Sequence, residues 1–209
     1  LDGGAAENYT EGSVYYGAQI RIPKPVKEGH SYTWDTEPVT VMPAEDLAYK
    51  AVWTPNIYQI SLDPNGGTVV EGDLATRTIT FGEAYGSLPV MEKENYTFEG
   101  WYTDKTGGGK LTETSAVELG HDHVIYAQYK PIEFTITYYG TEDAQNDNPE
   151  TYNVETGLFS LEKASRRGYT FEGWYDNENL EGEEVRAVSA NETGNKTFYA
   201  KWRENHYKI

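Results

Sequence analysis

Tyr96-Thr97-Phe98-Glu99-Gly100-Trp101-Tyr102 recurs unchanged as Tyr169-Thr170-Phe171-Glu172-Gly173-Trp174-Tyr175, 73 residues further along a chain of 209. Seven consecutive identities at one offset mark an internal repeat, and a repeat decides the architecture before any single element is assigned. The same offset carries Tyr126-Ala127-Gln128-Tyr129 onto Tyr199-Ala200-Lys201-Trp202. It also carries Ile79, Phe81, Tyr85 and Leu88 onto Tyr152, Val154, Leu158 and Leu161, so the register is expected to hold without a gap across most of a copy. A more diverged copy lies first. Its Lys50-Ala51-Val52-Trp53 matches Tyr126 to Tyr129, and its Gly29-His30-Ser31-Tyr32-Thr33-Trp34 is the Gly168–Trp174 segment shortened by one residue.

These matches predict a module over 1–54 that lacks its first strand, complete modules over 57–130 and 132–203, and the start of a further copy at 204–209. Tyr207-Lys208-Ile209 resembles Tyr58-Gln59-Ile60, and Leu1-Asp2-Gly3-Gly4 resembles the strand end at Leu62–Gly67. A longer array on both sides is therefore expected. An incomplete first copy exposes a sheet edge, which is a template for strand addition. The terminal strand 207–209 is expected to fill that gap in a neighbouring molecule, giving head-to-tail self-association.

The local pattern is mostly period-two. Tyr58-x-Ile60-x-Leu62, Phe134-x-Ile136-x-Tyr138 and Ile125-x-Ala127-x-Tyr129 read as half-buried strands. Asp63-Pro64-Asn65-Gly66-Gly67 and Thr106-Gly107-Gly108-Gly109 are turn signals, because Gly and Asn accept positive φ. Glu45–Val52 and Leu111–Leu119 are each expected to form a turn or two of helix. The fold class is thus α+β and predominantly β. The joints Thr54-Pro55-Asn56 and Lys130-Pro131 are short and contain proline, which favours an elongated stiff rod over a flexible tether.

Composition narrows the function classes. There are 34 acidic against 17 basic residues, a net charge of −17, and no cysteine. Nucleic acid is excluded, because phosphate neutralisation needs Lys and Arg clusters. No apolar run approaches the roughly 18 residues of a transmembrane helix, so membrane insertion is not expected. Disulfides, thiol nucleophiles and thiolate metal sites are ruled out. The 18 tyrosines supply core-forming surface that a disordered chain would lack.

Gly-Tyr-Thr-Phe-x-Gly-Trp-Tyr at 168–175 and Tyr-Ala-Lys-Trp at 199–202 resemble motifs of the Listeria–Bacteroides repeat family, the B-repeat of internalins. So do Asp-Pro-Asn-Gly-Gly at 63–67 and Tyr16-Gly17 before Pro23. The resemblance implies small ubiquitin-like β-grasp modules in tandem, and a secreted or wall-attached bacterial protein. It implies a stalk, spacer or adhesion role without catalysis, and it carries no catalytic residues over.

The distinctive residues are the repeated ones. Trp34, Trp101 and Trp174 share one repeat position; Trp53, Tyr129 and Trp202 share another. A large side chain needed in every copy is most simply a core anchor, offsetting the entropy of ordering a small domain. Tyr102 and Tyr175 follow their tryptophans directly, so in a strand they face the other way. They are the candidate binding residues, able to stack on sugar rings if exposed. His121-Asp122-His123 has two imidazoles at strand spacing, but the sister copy has Gly194-Asn195-Lys196 there, so a solvated turn is the simpler reading. Thr106–Lys110 lacks the spacing of a phosphate loop. The acidic stretch Glu142–Asn148 lacks the Gly and terminal Glu of an EF-hand and reads as a solvated loop.

No nucleophile elbow, metal signature or paired-carboxylate motif stands out, so no enzyme, metal or cofactor is expected. The leading expectation is a non-catalytic repeat segment of an extracellular bacterial surface or secreted protein. The alternative is a carbohydrate- or host-receptor-binding module, with a glycan or host surface protein as partner. Such a module would also suit an accessory segment of a large secreted polysaccharide-degrading enzyme.

Overall fold

The alternating segments Tyr58–Leu62, Ile125–Tyr129 and Phe134–Tyr138 each lie within a strand. The computed structural model describes residues 12–209 together with the backbone of Ala5–Ala6. The first copy contains β1 (Ala5–Ala6), β2 (Pro25–Val26), β3 (His30–Trp34) and β4 (Ala51–Pro55). The second contains β5 (Ile57–Asp63), β6 (Thr68–Glu71), β7 (Arg77–Thr80), β8 (Val90–Glu92), β9 (Tyr96–Tyr102), β10 (Lys110–Leu111) and β11 (His123–Pro131). The third contains β12 (Phe134–Tyr139), β13 (Thr151–Tyr152), β14 (Phe159–Ser160), β15 (Tyr169–Tyr175), β16 (Ala187–Val188) and β17 (Lys196–Glu204).

In each complete copy the first and last strands pair in parallel, and the hairpin partner of the last strand lies on its other side. The second copy has the order β10-β9-β11-β5-β7, and the third has β13-β12-β17-β15. Leu62 lies opposite Ile125, and Tyr138 opposite Phe198, in these parallel pairs. The first copy has no such first strand among the described residues, and β4 pairs only with β3 there. The fragments expected to open and close the array fall elsewhere. Leu1–Gly4 lies outside the described residues, and Tyr207–Ile209 follows β17 as exposed chain outside any strand.

The packing units run out of phase with the repeats. One unit comprises Leu1–Glu92 with Glu99–Gln128, and the other Lys93–Phe98 with Tyr129–Ile209. The start of β9 and the end of β11, at the open end of that antiparallel pair, thus group with the third copy. Within the first unit the buried side chains of the second copy are Ile60, Leu62, Tyr85, Met91, Trp101, Val117, Ile125 and Ala127. In the second unit a cluster of Ile136, Tyr152, Ala164, Trp174, Val188, Phe198 and Ala200 takes the equivalent place, with Phe171 and Trp202 packed against it.

Three expectations are corrected. No helix forms among the described residues, so the α component of the α+β class is absent there. Thr112 N–H donates to Ser115 Oγ, closing a local turn that competes with helix, and Val117 is fully buried in extended chain. Ala51 and Val52, at the end of the other candidate helix, instead open β4. The gap-free register also slips around Tyr85. Tyr85 is buried, but Leu158 is 67 % exposed and its neighbour Phe159 packs against the core instead. The register has recovered by the next fixed point, since Trp101 Nε1 donates to the Pro89 carbonyl and Trp174 Nε1 to the Glu162 carbonyl, each at 2.8 Å.

The residue missing from the first copy has a structural identity. In the third copy Phe171 pairs with Trp202 and Trp174 with Ala200, with a bulge between Phe171 and Gly173. In the first copy Tyr32 pairs with Trp53 and Trp34 with Ala51 in unbroken register. The deletion therefore removes the bulge. Gly173 has φ 139° and an added Cβ would meet Glu184 Cγ at 2.7 Å, so the bulge position admits only glycine without rearrangement.

Candidate functional site

Each copy ends in the same backbone lock. Asn56 N–H donates to the Gly29 carbonyl at 2.8 Å, Ile132 N–H to Asn95 at 2.9 Å, and Asn205 N–H to Gly168 at 2.9 Å. The three acceptors share left-handed backbone, with φ of 67°, 63° and 84°. A cation precedes each by two residues. Lys27 lies 5.8 Å from the Trp53 ring, Lys93 4.2 Å from Tyr96, and Arg166 4.3 Å from Tyr169. The joints then diverge. The Phe81 ring covers Gly29 so closely that an added Cβ would sit 2.2 Å from it, and it also meets His30 edge-on at 5.4 Å. At the next joint Tyr96 Oη donates to Glu155 at 3.0 Å, and Val154 holds the place corresponding to Phe81.

A second repeated device holds the first strand of each complete copy. Asp122 Oδ1 accepts the Gln59 N–H at 2.8 Å, and Asn195 Oδ1 accepts the Thr135 N–H at 3.0 Å. The two histidines beside Asp122 are committed to local bonds. His123 Nε2 lies 2.7 Å from Tyr85 Oη, and its Nδ1 lies 3.0 Å from the His121 carbonyl. Burial raises the Tyr85 hydroxyl above its ordinary value, with Glu118 adding to the effect. Among the described residues no group of three metal-ligating side chains converges.

The repeated aromatics take different places. Trp101 and Trp174 are buried at 2 % and 1 % exposure. Trp34, Trp53, Tyr129 and Trp202 are half-buried. Trp202 Nε1 donates to the Gly140 carbonyl at 2.7 Å, and the Trp34 ring meets Tyr32 and Tyr49. Tyr102 and Tyr175 are also half-buried, and Lys201 Nζ lies 5.0 Å from the Tyr175 ring.

Tyr175 is one end of a row. It pairs across the sheet with Tyr199, which pairs with Tyr139 on the other side. Residues directly opposite in a sheet share a face. Phe198 and Ala200 point to the core, so the three tyrosines stand on the outer face. The Tyr139 and Tyr199 rings stack at 5.1 Å and 17°, leaving Tyr139 49 % exposed. In the second copy Asp63 occupies the Tyr139 position, across from Tyr126. Sequence reasoning singled out Tyr175 but missed Tyr139 and Tyr199, because the row is assembled from three strands.

Beside this face, β12 and the loop that follows it enclose an open groove of about 520 Å³. Thr137, Thr141, Asn146, Asn148 and Glu150 contribute polar groups to it. Asn148 is buried and pins the loop: its Oδ1 accepts the Glu162 N–H at 2.6 Å and its Nδ2 donates to the Glu162 carbonyl at 2.8 Å. The stretch Glu142–Asn148 is therefore tied down at its end, rather than solvated throughout.

Comparison with known proteins agrees with this repeat geometry. The model of the Listeria-Bacteroides repeat domain matches residues 58–128 and 134–201. A protein of Evansella cellulosilytica, provisionally named a membrane protein, is 29% identical over 96% of this chain and 32% of its own length. A second from the same organism, provisionally named a Gly-rich membrane protein, is 29% identical over 94% of this chain and 24% of its own. Internalin H of Listeria monocytogenes is 31% identical over 65% of this chain and 24% of its own length. The chain thus spans between about a quarter and a third of these relatives. It belongs to the Listeria-Bacteroides repeat family.

Proposed function

We propose that this segment of a Listeria-Bacteroides repeat protein is a non-catalytic spacer in a bacterial surface or secreted protein. The observation that carries the reading is the lock repeated at the end of every copy, from Asn56 to Gly29, Ile132 to Asn95 and Asn205 to Gly168. A backbone bond at a fixed left-handed residue restricts the joint, where a glycine–serine tether would leave it free. The buried tryptophans and the Asp122 and Asn195 caps serve each module's own stability and hold no convergent reactive groups.

The names of the relatives support a location at the cell envelope. The modules are further proposed to be β-grasp derivatives, supported by the parallel pairing of first and last strands in both complete copies. Small-angle X-ray scattering of the 209-residue protein tests the spacer. The expected result is an elongated particle whose maximum dimension does not change with ionic strength. A compact particle, or the broad distribution of a flexible chain, would overturn it.

A further inference from the structure

We infer that the third copy carries a binding site for a neutral oligosaccharide, formed by the exposed face of Tyr139 and the polar groove beside it. A pyranose ring has an apolar face of C–H groups and a rim of hydroxyls, so its receptor needs a flat aromatic surface next to hydrogen-bonding groups without a strong charge requirement. Both parts are present here. Tyr139 is braced on one side by Tyr199 at 5.1 Å, which fixes the ring while leaving it 49 % exposed. Thr135 and Thr137 alternate with Tyr139 along β12 on the same face, and both line the groove together with Ile136 and Tyr138 of the opposite face, so that Tyr139 flanks the groove at the end of the strand. Asn146 and Glu150 line it from the following loop, which Asn148 holds in place.

Charge selects among sugars. Glu142, Asp143, Asp147 and Glu150 are exposed along this loop, and of these Asp143 is paired with Arg166 at 3.5 Å. In a protein of net charge −17, such a loop repels uronates, sialates and sulfated glycans. The second copy supplies the contrast. Asp63 replaces Tyr139 there, and its Oδ1 accepts the Asn65 N–H at 2.8 Å in a tight turn. The turn that follows, closed by the Gly67 N–H on the Pro64 carbonyl, takes the place of the groove-forming loop.

Affinity electrophoresis through gels containing laminarin, xylan, galactomannan or amylose tests the site, with polygalacturonate as the anionic control. The expected result is retardation by at least one neutral polymer and none by polygalacturonate. Tyr139→Asp, which installs the second copy's residue at an exposed position, should weaken that binding at least tenfold. Tyr102→Ala in the second copy should leave it unchanged. Absence of retardation by every neutral polymer would overturn the inference, as would equal retardation of Tyr139→Asp or preference for polygalacturonate. Binding of extended peptides alone would overturn it too.

Discussion

The second and third copies contain the same seven residues and do the same thing with them. Both bury the tryptophan, aim its indole N–H at a carbonyl twelve residues upstream, and use a glycine of φ near 130° to turn it inward. Away from that segment they part. Asp63 stands where the third copy has Tyr139, Tyr85 is answered by Phe159, and Gly107 by Leu180. Residues that repeat fix the geometry of the scaffold, and differences such as Asp63 against Tyr139 sit on the outer sheet face, where substitution leaves the core intact. That division explains why one copy can acquire a groove while its neighbour keeps a tight turn.

The strongest way to break the comparison is through its common centre. Trp101→Ala and Trp174→Ala should each destabilise their own copy by about 3–5 kcal/mol, through lost burial plus a residual cavity. Chemical denaturation followed by fluorescence should show the two losses to be similar; a large inequality would mean that the copies do not share one packing logic. The next effect concerns the joints. Gly29→Asn, which copies the residue at Asn95, should cost about 1–3 kcal/mol because its Cβ collides with the Phe81 ring. Adding Phe81→Val, as at Val154, should recover most of that loss. Failure of the second change to rescue the first would show that the joints differ by more than this pair.

A smaller effect should have the opposite sign. Leu180 has φ 56° where the second copy has Gly107 at 69°, and the left-handed region costs a branched residue about 1–2 kcal/mol. Leu180→Gly should therefore stabilise the third copy by about 1 kcal/mol, less the value of any contact the leucine makes. Differential scanning calorimetry showing a lower Tm would refute this. The smallest change is in pH dependence. Burial pushes the Tyr138 hydroxyl from 10.0 up to about 12, and the second copy has Leu62 in its place. A raised folded value means stability fully present below pH 10 and lost progressively as the pH rises toward 12. Tyr138→Phe should remove that component of the alkaline loss, and tyrosinate absorbance should lose its latest step.

Much of this architecture could be read from spacing. Identity at one offset reveals the repeat, period-two alternation places the long strands, and glycine with asparagine marks the turns. What escaped reading depends on contacts distant along the chain. Asp122 and Gln59 are 63 residues apart, and nothing local announces that the aspartate caps a strand. The slip that replaces Leu158 by Phe159 is invisible to an alignment because both residues are apolar; only burial separates them. The expected helix at Leu111–Leu119 fails because the Thr112–Ser115 turn bonds to itself and Val117 is needed in the core. The tyrosine row was partly legible: Tyr175 and Tyr199 each belong to a repeated motif, whereas Tyr139 joins them only through sheet register.

The parallel pairing of first and last strands has a consequence for tension. A pull entering the second copy at Ile57 and leaving at Pro131 draws β5 and β11 past each other along their length. The rungs between them, from His123 opposite Ile60 to Tyr126 opposite Asp63, then carry the load together in shear. The third copy repeats this from Ile136 opposite Lys196 to Tyr139 opposite Tyr199. Strands pulled apart like a zipper would yield one bond at a time. These must lose several at once, so each copy resists force more firmly than its small core alone would suggest.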